Sequence, residues 1–163
     1  MSRYHLTKLS FYTCALVVAF GGWPARAFDA DQKAVLDAYQ KPWNGYFAAI
    51  QTLGTTLDAA KGDHDIVKAA DKFCDDANAF VDEFNEVRDR YLGTDILKAM
   101  DNDTDAKKAF QDFVTNVKKK LDDAKPIFEK LNRQLTVYST SADIKRVRDR
   151  LAAVSNRLQL LTL

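Results

Sequence analysis

The sequence predicts an all-α protein: an antiparallel four-helix bundle, most simply up-down-up-down, preceded by a cleavable signal peptide. Three observations carry that expectation. Apolar residues recur in steps of three and four along four long stretches, which puts each set on one face of a helix. Short breaks containing Gly or Ser separate most of those stretches. No stretch shows sustained two-residue alternation of Val, Ile or Thr, so no sheet is expected.

Residues 1–27 read as the signal peptide. Arg3, His5 and Lys8 make a positive start, Leu9 to Phe20 is apolar, and Gly21, Gly22 and Pro24 break the run before Ala25-Arg26-Ala27, a small-x-small cleavage site. The alternative is an uncleaved anchor, but the apolar run falls short of the roughly 20 residues that span a bilayer. Residues 28–163 then form a single helical domain, long enough to bury a core without staples.

Removing Arg3, Lys8 and Arg26 from 24 Lys and Arg leaves 21 against 23 Asp and Glu, a formal charge of −2. That balance argues against nucleic acid as a partner, because nonspecific binding needs basic surface to displace counterions. Cys14 leaves with the leader, so Cys74 has no intramolecular partner for a disulfide.

The first helical region covers Phe28 to Ala60. Its seam is Leu36, Tyr39, Trp43, Tyr46, Ile50, Leu53, Leu57 and Ala60. Pro42 interrupts it by lacking an N–H and crowding the carbonyl of Ala38, and because the register continues unbroken a kink is expected rather than a stop. Lys61-Gly62-Asp63 is the turn, with Gly62 suited to a left-handed C′ position and Asp63 to a cap.

The second region has the most regular seam: Ile66, Ala70, Phe73, Ala77, Phe80, Phe84, Val87 and Tyr91, widened by Val67, Cys74 and Val81. Its 26 residues span about 39 Å, and Gly93 fits the C′ position beyond it. Thr94 to Asp103 is a longer connection with a helical turn at Asp95 to Met100. Thr104 or Asp103 then caps a third long helix, whose seam is Phe110, Val114, Val117, Leu121, Ala124, Phe128, Leu131, Leu135 and Tyr138, with Pro126 inside it. Ser139-Thr140-Ser141 is a turn with hydroxyl caps. The last helix carries Ile144, Val147, Leu151, Val154, Leu158 and Leu161 on one face.

Chemistry is scarce. His64 and the three glutamates Glu83, Glu86 and Glu129 cannot supply the two Glu-x-x-His pairs and two further glutamates of a di-iron bundle. Covalent haem attachment and a Gly-rich phosphate loop both lack their motifs. Noncovalent haem would have to use His64 and Met100, which the seams place at opposite ends of a long helix. Cys74 lies ten residues from His64, about 15 Å along the axis, too far for a nucleophile and its base. No cofactor is expected.

Three features remain as candidate sites. Tyr39, Trp43 and Tyr46 cluster around Pro42, where a kink could open a small-molecule pocket; ordinary core packing is the simpler account. Asp101, Asp103 and Asp105 have the one-three-five spacing of a calcium loop, but Ala106, Lys108 and Asp112 stand where its Gly, apolar residue and Glu belong, so a weak metal site competes with plain helix capping. Cys74 beside the seam is either a buried small hydrophobe or, at an exposed edge, the link in an intermolecular disulfide of a homodimer. Its neighbours Asp75 and Asp76 disfavour a thiolate.

Charge is uneven. Asp63 to Leu92 is rich in acid, whereas Lys145, Arg146, Arg148, Arg150 and Arg157 make the last helix basic, with Lys118-Lys119-Lys120 adding to the basic side. The simplest topology sets the second and fourth long helices on a diagonal, so these charges are expected on opposite outer faces. The sequence therefore points to an exported, noncatalytic bundle acting through surface contacts with an unknown protein partner in the bacterial cell envelope. After cleavage it is periplasmic or secreted and has no integral membrane segment. A small-ligand or cofactor carrier using the space near Pro42 and Trp43 is the alternative.

Overall fold

The computed structural model describes residues 30–161. Apart from short turns these residues are helical, with no strand among them, in the order α1 (Ala30–Ala59), α2 (Asp63–Tyr91), α3 (Asp95–Asn102), α4 (Thr104–Val137) and α5 (Ala142–Gln159). The expected signal peptide and its expected cleavage site near Ala27 lie outside the described residues.

The boundaries follow local chemistry. Gly93 adopts a left-handed φ of 76° just past α2, where a side chain would be strained. Thr94 caps α3, and the Asp103 carboxylate caps α4 by accepting from the N–H groups of Asp105 and Ala106 at 2.9 and 3.0 Å. Two expected caps differ. Gly62 is extended rather than left-handed and itself occupies the N-cap position. Asp63 instead opens α2, where its carboxylate accepts from the His64 N–H and complements the helix dipole. Ser141 precedes α5 without a hydroxyl cap; its carbonyl accepts from Lys145 instead. Helices α1 and α4 each run through their proline, Pro42 and Pro126, without a break.

The short turn after α1 lays α2 antiparallel to it. Helix α4 runs parallel to α1: Tyr39 meets Phe110, Lys120 lies over the Phe47 ring, and Asp58 meets Lys130. Gly54 permits the close approach, since a Cβ there would stand 3.0 Å from Ile127 Cδ1. Helix α5 runs parallel to α2 along a series of ion pairs offset by 75 residues. Helix α2 thus has α1 on one side and α5 on another, while α4 lies beside α1. This corrects the expected diagonal: α2 and α5 are neighbours. The physical reason is twofold. The connection through α3 is long enough to carry the chain from the end of α2 across to α1, and the acidic face of α2 attracts the basic face of α5.

The expected seams form the core. Ile66, Ala70, Phe73, Ala77, Phe80 and Phe84 are buried, with Leu36, Ile50, Leu53 and Leu57 facing them from α1. Leu131 and Leu135 are buried from α4, and Ile144, Val147 and Val154 from α5. Phe113, outside the expected α4 seam, is buried as well. No described helix is long and apolar enough to cross a membrane.

Candidate functional site

The aromatic residues around Pro42 pack inward. Tyr46 stacks on Phe80 with ring centroids 4.6 Å apart, and Trp43 lies 4.8 Å from the same ring. Tyr39 meets Phe84 and Phe110 edge-on at 5.8 and 6.1 Å. These are ordinary aromatic core contacts. Tyr39 and Tyr46 are buried, and burial pushes both phenols above their usual pKa. Two polar atoms in this cluster lack a protein partner: Trp43 Nε1 and Tyr46 Oη.

Accessible space lies on the outer side, between α1 and α2. Two adjoining hollows of about 310 and 420 Å³ share Ala49, Thr52, Lys72 and Asp76. Short residues of α1 (Gly45, Ala48, Thr52, Thr56) form one wall, and the Lys72–Asp76 ion pair of α2 forms the rim. Pro42, Tyr46 and Phe80 close the upper hollow. Of the three expected pocket residues, the structure brings only Tyr46 to this wall; Tyr39 and Trp43 pack elsewhere in the cluster.

The aspartate triplet is dispersed in role. Asp103 is buried as the α4 cap, while Asp101 and Asp105 are exposed. Among the described residues no three His, Cys, Asp or Glu side chains converge as a metal cage. His64 is exposed in the first turn of α2 and Met100 is buried in α3, beyond the far end of that 29-residue helix, about 43 Å long.

Cys74 is 0% exposed. Its thiol is pushed up to about 11, chiefly by burial, with Arg150 and Arg146 pulling it down and Asp71 and Asp75 pushing it up. A disulfide to another chain would require this side of α2 to be uncovered first.

The charge contrast resolves into direct pairing. Arg146 reaches Asp71 at 2.6 and 2.9 Å, Arg150 bridges Asp71 and Asp75, and Arg157 holds Asn78 and Asp82. The Arg146 guanidinium, joined by Arg150, holds the Asp71 carboxyl below the usual carboxylate range. Arg148 takes a different role and donates to the Leu135 carbonyl at the end of α4. Sequence reasoning saw the acids and the arginines but missed the ladder. Its signal was there: Asp71, Asp75, Asn78 and Asp82 step by four, three and four, and Arg146, Arg150 and Arg157 repeat the same face.

A second feature also went unseen. From Pro42 to Leu57 the chain carries no charged residue, in a protein where 29% of residues are charged. The exposed members of that run are Asn44, Gly45, Ala48, Gln51, Thr52, Thr55 and Thr56. The three threonine hydroxyls donate to carbonyls of their own helix. No protein-family model matches the chain, and no curated protein or solved structure is significantly similar to it.

Proposed function

We propose that this protein is an exported, noncatalytic four-helix bundle, freed of a leader near Ala27, that acts in the periplasm or outside the cell by docking a protein partner. The observation that supports this reading is the uncharged outer face of α1. A surface without charges is the cheapest to dry, because no ion must be stripped of water on docking. Short side chains lose little rotamer freedom there, and the threonine hydroxyls, bonded to their own helix, need no new partner. Most of the rest of the surface is studded with Lys, Asp and Arg and lacks this property.

Thr52→Arg tests the reading. The exposed position accepts the longer side chain without disturbing the core, so thermal unfolding should stay within about 0.5 kcal/mol of wild type. Envelope proteins crosslinked to the wild-type chain in intact cells should be lost with the variant. Unchanged crosslinks, or turnover of a substrate by the purified protein, would defeat the proposal.

A second reading, a small-ligand carrier, draws support from the upper hollow, whose volume of about 310 Å³ reaches the lower end of ligand pockets. Gly45 lines it with open space where a Cβ would stand, so Gly45→Leu should fill the hollow. Native mass spectrometry would show a bound mass on the wild type that this variant lacks; equal masses remove the reading.

A further inference from the structure

Helix α5 is held differently from the other long helices. Its backbone packs along α2, and its hold combines the buried Ile144, Val147 and Val154 with the arginine ladder. The aromatic contacts that bind α1, α2 and α4 to one another involve no residue of α5. Cys74 sits inside the ladder: Asp71, Cys74, Asp75 and Asn78 share one face of α2 by their spacing, and Arg150 and Arg146 both act on its thiol.

We propose that α5 is a strap that salt loosens, and that its lifting uncovers Cys74 and the apolar face of α2 around it. This goes beyond the docking reading and does not depend on it. The arginines and their partners Asp75 and Asp82 are partly or largely exposed, so dissolved ions reach them, and screening at about 1 M salt cuts the range of such attractions to about 3 Å. A helix in a protein owes most of its stability to the packing of its apolar face, so the 18 residues of α5 fray as they lift. The turn at Ser139 to Ser141 is the pivot. The body formed by α1, α2 and α4 keeps its ring contacts while α5 moves, which makes the opening local rather than global.

The test uses the full chain. Iodoacetamide labelling, mapped by peptide mass to separate Cys74 from Cys14, is compared at about 0.02 M and about 1 M sodium chloride, with a free cysteine peptide correcting for the salt dependence of the reagent. Labelling of Cys74 should rise about tenfold with salt. Amide exchange should rise in α5 and stay unchanged in α1 and α4. Arg150→Gln, which leaves the apolar face of α5 intact and removes the contacts to Asp71 and Asp75, should label faster than wild type at low salt and show a smaller further rise with salt, carried by the remaining Arg146 and Arg157 pairs. Should that variant fold poorly, Asp82→Asn at the far end of the ladder supplies the same test with a smaller acceleration. Labelling indifferent to salt, or exchange in α1 and α4 that rises in step with α5, would overturn the strap.

Discussion

Tyr46 carries its hydroxyl into the aromatic cluster without finding a protein group to bond. A buried hydroxyl without a partner costs free energy, and its removal restores some. Tyr46→Phe should therefore leave stability unchanged or raise it by about 1 kcal/mol in urea unfolding. A loss of stability would show that the hydroxyl is bonded to a trapped water or a ligand. Asp103 is the opposite case, a buried carboxylate with two backbone donors. Asp103→Ala should cost about 1 kcal/mol, whereas Asp103→Asn, which keeps the accepting oxygen, should cost much less. A calcium-dependent gain in the stability of the wild type would favour the metal reading over the cap. Cys74 gives a pH signature. Its thiol holds the proton up to about 11 in the folded protein, while the unfolded thiol releases it near about 8.5. The folded state binds more protons between those values, so stability falls as pH rises through that window. Cys74→Ala should flatten this alkaline slope.

Along the elements, acid acts on the ladder between α2 and α5. Asp71 ionises more readily folded than unfolded because Arg146 and Arg150 hold its carboxylate. That contribution is fully present above the unfolded value near about 4 and is lost as pH falls through the lower folded value. Asp71→Asn should remove it, so α5 amides in the variant should exchange faster at neutral pH and respond less to acid than in wild type. The helices themselves were legible in the sequence because their signals are local. Steps of three and four mark a face wherever the helix later packs, and Gly93 and Asp103 announce ends by backbone chemistry alone. Neighbour choice was not legible from turns. The residues of α3 permit α4 to lie on either side of α2 or α1, and the sequence sign that α5 joins α2 is the matched spacing of acids and arginines. Gly62 misled for a related reason: a glycine near a helix end suits C′ or N-cap, and the extended backbone here needs no glycine at all.

At the scale of the molecule, the candidate surfaces were less legible than the core because surface function is written in what is missing. The aromatic trio of Tyr39, Trp43 and Tyr46 drew attention as a pocket by its chemistry, yet two of the three turn away from the accessible space, while the bland run of Ala, Gly and Thr forms its wall. The same division sets how the protein should come apart. Phe80 touches the rings of Tyr46, Trp43 and Phe84 and so ties α1 to α2 at the centre. Phe80→Ala opens a cavity that stacked rings cannot collapse to fill, and it should cost about 3–5 kcal/mol, lowering the whole unfolding transition. Val147 is equally buried but belongs to α5. Val147→Ala removes less apolar surface, and what it weakens is the grip on α2. Amide exchange under native conditions separates the two: Phe80→Ala should accelerate the slowest amides of α1 and α2 together, whereas Val147→Ala should accelerate α5 and leave those amides near their wild-type rates. If Val147→Ala instead speeds the slowest amides of α1, then α5 unfolds only with the rest of the molecule and the division into body and strap fails.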